Sequence, residues 1–201
     1  MSKKKITFLI IGLATIAIGG VLFYQEYFKK SSEKKTAQQT QEKNYYEIDD
    51  ELAGVSFKIG KKFERLPSQK LHVENPSFIY GFMAVDDKNV NCYISQTKRE
   101  NQGVVKVMDL RDGVFEQVKK VYTDVKLDEA EVVEVGENNN KGAKLKMSYI
   151  NGNVHYIQWE VAGISQKMAT FAFCEAPKAV LDLYRDDLEL FLNSVRIYPV
   201  K

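Results

Sequence analysis

The chain has 201 residues, 44% of them hydrophobic, with 29 basic against 27 acidic side chains. Residues 1–44 carry eight Lys and three Glu, so 21 basic and 24 acidic residues remain beyond position 44, a net charge of −3. That remainder is the size of one ordinary domain with its own core, and its sign excludes a nucleic-acid grip, which needs Lys and Arg gathered against phosphate.

Ile6 to Tyr24 is a run of 19 residues without Asp, Glu, Lys, Arg, His or Pro. As a helix it would span about 28 Å, close to the ~30 Å hydrocarbon core of a bilayer. Residues 6–24 are therefore expected to be a transmembrane helix in contact with lipid. A cleaved leader has a shorter apolar region ending in small residues. Ala17-Ile18-Gly19 imitates such an end, but Val21-Leu22-Phe23-Tyr24 prolongs the run, so the expectation is a retained signal anchor. Tyr24 and Tyr27 suit the interfacial aromatic belt. Lys3, Lys4 and Lys5 before the run nearly balance Lys29, Lys30, Lys34 and Lys35 after it. Orientation then rests on the short tail, residues 1–5, which is expected in the cytoplasm, with the long C-terminal part outside it. Gly12, Thr15 and Gly19 fall on one side of the helix, a small-residue stripe through which the chain could self-associate. Residues 25–44 form a polar tether that either extends the helix or stays irregular, because nothing in it can bury a face.

From about Tyr45 to Lys201 the pattern is that of an α+β domain. "GVSFKIG" alternates Val55, Phe57 and Ile59 with small or charged neighbours, the period of a strand. "SFIYGFMAV" is apolar on both faces, with Phe78, Tyr80 and Phe82 on one and Ile79, Met83 and Val85 on the other; "NVNCYISQT" follows after a turn. A strand apolar on both faces requires cover on both sides of its sheet. "MDLRDGVFEQVKKVYTD" supplies one cover as a helix with Leu110, Val114, Val118, Val121 and Tyr122 in its stripe and Asp109 as N-cap. In "AKLKMSYINGNVHYIQWEV" the Asn151-Gly152 pair predicts a two-residue hairpin turn. That turn would set Tyr149 against Val154, Met147 against Tyr156, Ser148 against His155, Lys146 against Ile157 and Lys144 against Trp159, the last a cation–π contact. "QKMATFAFC" is a further two-sided strand. Pro177 is suited to the first position of a final helix with Val180, Tyr184, Leu188, Phe191 and Val195 in its stripe, and "SVRIY" leaves it as a short strand.

This order of strands, a helix, a four-strand stretch and a long helix closing on "LELFLNSVRI" resembles the PsbP-like fold, including DcrB-type envelope proteins, over roughly residues 52–200. The resemblance implies an antiparallel sheet flanked by helices on both faces. It also implies a mostly non-enzymatic role, assisting or binding larger complexes. The segment "GKKFERLPSQK" replaces the Pro-and-Trp phrase usual after the first strand, so no family site residue transfers.

Catalytic constellations are sparse. His72 and His155 are the only histidines, Cys92 and Cys174 the only cysteines, and no two of the four have a local metal-binding spacing. Export would permit a disulfide. Cys92 shares a strand face with Val90 and Ile94, and Cys174 with Met168 and Ala172, so each can be buried separately, and free thiols are expected. "GISQK" at 163–167 lacks the second Gly of a nucleophile elbow. Asp49-Asp50-Glu51, Asp86-Asp87 and Asp186-Asp187-Glu189 offer oxygens to a divalent cation but read as solvated turns and helix faces. No catalytic, cofactor-binding or metal-binding residue is assigned. The expected function is that of a membrane-anchored extracytoplasmic accessory protein acting through protein contacts at the membrane, with another membrane or envelope protein as partner. Two alternatives stay open: a structural subunit of a membrane machine such as a secretion system, and an unrecognised hydrolase or metal-dependent enzyme.

Overall fold

The computed structural model describes residues 43–99, 105–136, 140–165 and 167–198. The chain divides into two units, Met1–Lys43 and Asn44–Lys201, and every element below belongs to the second. The expected tail at 1–5, the span at 6–24 with its Gly12, Thr15 and Gly19 stripe, and nearly all of the tether at 25–44 lie outside the described residues. Among the described residues no helix is long and apolar enough to cross a membrane.

The elements in chain order are β1 (Tyr45–Asp50), β2 (Val55–Gly60), β3 (Phe63–Arg65), α1 (Ser68–Glu74), β4 (Phe78–Ala84), β5 (Asn91–Lys98) and α2 (Val107–Val121). They continue with β6 (Thr123–Glu134), β7 (Lys141–Asn151), β8 (Val154–Ile164), β9 (Met168–Pro177), α3 (Leu181–Ser194) and β10 (Arg196–Ile197). Seven strands form one sheet in the order β3-β4-β5-β9-β8-β7-β6, and β1-β2-β10 form a second. Every ladder is antiparallel. This is an α+β fold.

Strand β8 is covered on both faces. Along β8, Ile157, Trp159 and Val161 enter a core closed by α3 and β2, whereas Ala162 enters a smaller core under α2. The larger core centres on Phe57, whose ring meets Tyr80, Phe82 and Phe191 edge-on at 5.2, 5.7 and 5.4 Å. Such edge-to-face pairs add to the stabilisation from burial alone. In the smaller core Leu110, Val114 and Val118 lie on Leu145, Met147 and Tyr149 of β7.

Several local expectations are corrected. The hairpin turn sits one residue later than predicted: Asn151 pairs with Val154, and Gly152 and Asn153 make the turn. Gly152 has φ +63°, as the first position of a type II′ turn requires. Each pairing therefore moves by two residues, so Tyr149 faces Tyr156, Met147 faces Gln158, Ser148 faces Ile157 and Lys146 faces Trp159. The shift sets the Tyr149 and Tyr156 rings nearly parallel, 5.7 Å apart. Being even, it leaves each side chain on its expected face. The cation over Trp159 is Arg185, at 5.7 Å, rather than Lys144. In β4 a bulge between Phe78 and Tyr80 separates Phe78 from the face of Tyr80 and Phe82 and stacks it on Tyr93. Helix α2 starts at Val107 behind Lys106, so Asp109 lies within the first turn rather than at the N-cap, and Val121 is exposed. Pro177 ends β9 opposite Tyr156 instead of opening α3, which starts at Leu181.

The free thiols are overturned as well. Cys92 and Cys174 occupy opposed positions in β5 and β9 and form a disulfide. Cys92 is buried with Val90 and Ile94 and Cys174 with Ala172, while Met168 is only half-buried; the β5–β9 register brings the two sulfurs together.

Candidate functional site

On one face of the seven-stranded sheet helix α2 packs over β6, β7 and β8, and α1 packs over β4 with Leu71 against Gly81 beside Tyr93, which leaves a gap between the two helices over β5 and β9. A groove of about 950 Å³ results. One wall is the side of α2 carrying Val114, Val118 and Gly113, and the other is Phe78 of β4 with Phe171 and Phe173 of β9, backed by Tyr93 of β5. There Phe78 stacks on Tyr93 at 4.8 Å, and Phe173 lies 5.3 Å from Tyr93 and 5.9 Å from Phe78. The β4 bulge creates this wall, because it turns Phe78 to the groove side.

The floor is polar. Gln158 and Glu160 on β8 are 5% and 4% exposed, and Gln158 Nε2 donates to Glu160 Oε2 at 2.9 Å. Burial pushes the Glu160 carboxyl up to about 7 against the opposing effect of that hydrogen bond. Glu175, opposite Gln158 on β9, accepts a 2.7 Å hydrogen bond from the Tyr149 hydroxyl. Its carboxyl is also raised by burial, with the Tyr149 bond acting the other way. The Tyr149 hydroxyl is held protonated by burial and then by the adjacent Glu175 charge, and its ring stacks on Tyr122 at 4.0 Å. The lining includes Asp109, Glu160 and Glu175 and, among the described residues, no Lys, Arg or His. Chemically it is an apolar slot with an acidic floor.

A second groove, of about 430 Å³, lies on the opposite face beside α3 and contains Trp159 and Arg185. Four of its charges are paired within it: Lys146 Nζ lies 2.7 Å from Glu129 Oε1, and Lys144 Nζ lies 3.5 Å from Glu131 Oε1 and bonds Asn193 Oδ1 at 2.9 Å; Arg185 pairs with Asp182. Such exposed pairs are screened by solvent and add little to stability. They leave no single charge dominating the surface.

The residues weighed in the sequence lie elsewhere. His155 is exposed on β8, and His72 lies in α1. Asp50 accepts from the Leu52 and Ala53 amides at 3.1 and 3.0 Å and from Tyr80 Oη at 2.7 Å, so it organises a turn. Asp87 accepts from the Asn89 amide at 2.9 Å, and Asp187 pairs with Lys62 at 3.1 Å. Among the described residues no group of His, Cys, Asp or Glu is arranged to hold a metal ion. The groove residues Gln158 and Glu160 were passed over. The available signal was a Glu on one face of a strand whose other face reads Ile157, Trp159, Val161.

No family model and no curated protein sequence matches this chain. Solved structures match it by fold. The cyanobacterial PsbP of Synechocystis, CyanoP, superposes with a TM-score of 0.59 at 11% identity, over 77% of this chain and 93% of that one. LpqN of Mycobacterium tuberculosis, described as involved in cell envelope biogenesis, superposes with a TM-score of 0.52 at 13% identity, over 77% of this chain and 91% of that one. The chain has the PsbP-like fold. At this identity the likeness extends to the fold and to no site residue.

Proposed function

We propose that the chain is an extracytoplasmic accessory protein, held at a membrane by residues 6–24, whose domain binds another protein or envelope component there without catalysing a reaction. The observation that carries this reading is the Cys92–Cys174 disulfide. Structural disulfides persist in oxidising compartments and are rare in the cytosol. A bridged core behind a charge-free run of 19 residues fits an exported, tethered domain. The fold supports it too, being shared with a protein described in cell envelope biogenesis. The net charge of −3 beyond position 44 argues for a partner other than nucleic acid.

Reporter fusions after Lys201 test the location. A phosphatase that matures only outside the cytoplasm should be active, and a fluorescent protein that matures only inside should stay dark. A bright cytoplasmic reporter with an inactive phosphatase would overturn the reading.

A further inference from the structure

We propose that the groove between α2 and the Phe78, Phe171 and Phe173 side of the seven-stranded sheet binds a small organic cation, a protonated amine on an apolar or aromatic body, with Glu160 receiving the charged end. The proposal goes beyond the accessory role and does not depend on the compartment.

Glu160 is the central observation. It is 4% exposed, lines the groove, and stands between cross-strand neighbours Leu145 and Phe173. Its Oε2 accepts from Gln158, while Oε1 accepts from no described residue. No fully buried side-chain oxygen or nitrogen among the described residues lacks a partner, so Oε1 is the oxygen on the groove surface. A buried carboxyl is expensive to ionise unless a donor or a cation meets it, and an ionised carboxylate only accepts. The position therefore calls for a donor from outside the chain.

The surroundings select the kind of donor. Glu175 on the floor and Asp109 on α2 add negative potential, and the lining has no cation among the described residues to receive a carboxylate or phosphate. Glu175 is already engaged by Tyr149, which leaves Glu160 to take the charge. Phe78, Phe171, Phe173 and Tyr122 offer aromatic surface on which an alkyl or aryl body is buried and a cation is attracted. A volume of about 950 Å³ lies within the range of small-molecule sites. Burial holds the Glu160 carboxyl near neutrality, up to about 7, so a bound ammonium would take the place of its proton.

The test uses the full chain in phosphatidylcholine nanodiscs, with protein-free nanodiscs as blank. Titration calorimetry near pH 8 would compare 4-phenylbutylammonium, 4-phenylbutanol and 4-phenylbutyrate, three probes that share one body. The ammonium should bind at least about tenfold tighter than the alcohol, a gap of roughly 1.4 kcal/mol, and the carboxylate should bind weakest. Glu160→Gln should reduce that preference to about threefold or less while the alcohol keeps its affinity. Gly113→Phe should abolish binding of the ammonium and the alcohol: Gly113 lines the groove, and a Cβ added there meets nothing within 4 Å, so a ring has room to enter it. No binding of the ammonium, equal binding of the three probes, or a preference for the carboxylate would each overturn the proposal. So would an ammonium preference that survives Glu160→Gln. If Glu160→Gln fails to fold, Gly113→Phe decides, since undiminished ammonium binding in that variant overturns the assignment.

Discussion

Cys92 and Cys174 stand directly opposite each other in β5 and β9, their Cα atoms 4.0 Å apart and their sulfurs bonded. The bridge is buried in the larger core, next to Trp159, which pairs with Cys174 from β8. It joins residues 82 apart in the sequence, across the helix and the β6–β8 stretch. Restraining the unfolded chain over a loop of that length is worth roughly 4–5 kcal/mol by chain entropy. Reductant, or the double change Cys92→Ala with Cys174→Ala, should therefore lower the unfolding free energy from urea titration by a comparable amount. A thiol label added to unfolded, unreduced protein should not react. Incorporation of two labels before reduction would show that the bridge is absent.

The buried carboxyl of Glu160 makes stability depend on pH in an unusual direction. Burial raises it from an ordinary 4.5 to about 7. Below 4.5 it is protonated in both folded and unfolded chains and contributes no difference. Between 4.5 and about 7 the folded chain keeps a proton that the unfolded chain has released, so stability falls as pH rises through this window. The loss is on the order of 3 kcal/mol at most. Glu175, also raised by burial, acts with the same sign. Urea unfolding should show wild type more stable near pH 5 than near pH 8, and Glu160→Gln should remove most of that slope. Wild type gaining stability between these pH values would contradict the assignment of a buried, near-neutral carboxyl.

Local chemistry was legible where it was decided locally. The alternation of Val55, Phe57 and Ile59, the stripe of Leu110, Val114 and Val118, and the closing helix with Tyr184, Leu188 and Phe191 all hold. The closing phrase and the element order pointed to the PsbP-like fold, which the chain has. What was illegible depended on long-range pairing. The two cysteines meet because of the β5–β9 register, which no short stretch encodes. Phe78 reaches the groove because one bulge breaks the period of two, and the Asn-Gly signal cannot say which of two adjacent turn frames the stacked Tyr149 and Tyr156 will select. The groove itself exists because α2 packs over β6–β8 and α1 over β4 with a gap between them, a packing outcome rather than a motif.

Asp50 is a structural residue rather than a solvated member of an acidic cluster. Its two oxygens accept three hydrogen bonds, two from the amides of the β1–β2 turn and one from Tyr80. The Ala53 amide, then the Tyr80 hydroxyl, hold its carboxyl below the usual range. The stability it contributes is present above its ordinary value of 3.8 and is lost as pH falls further below it. Asp50→Ala should cost roughly 1–3 kcal/mol at neutral pH by leaving half-buried donors unpaired. Asp50→Asn, which keeps an acceptor for the turn, should cost less. Thermal melts of the two variants distinguish these outcomes, and equal, negligible shifts would show that water replaces the carboxylate without loss.

The final prediction concerns residues 6–24. A domain that acts by weak contact gains from confinement to the surface where its partner lies, because a tether converts an encounter in solution into one at raised effective concentration. That gain reaches ~10²–10⁴ where the tether spans the two sites. The anchor then matters as a restraint and not as a specific surface. Replacing residues 1–28 with a cleavable leader should leave the domain folded, by circular dichroism and by its disulfide, yet fail to restore whatever phenotype deletion of the chain produces. An unrelated single-span anchor in the same place should restore most of it. If that anchor fails while the native segment succeeds, the Gly12, Thr15 and Gly19 stripe expected there makes a specific contact. Full rescue by the released domain at native abundance would sink the tethering argument and leave a diffusible binder.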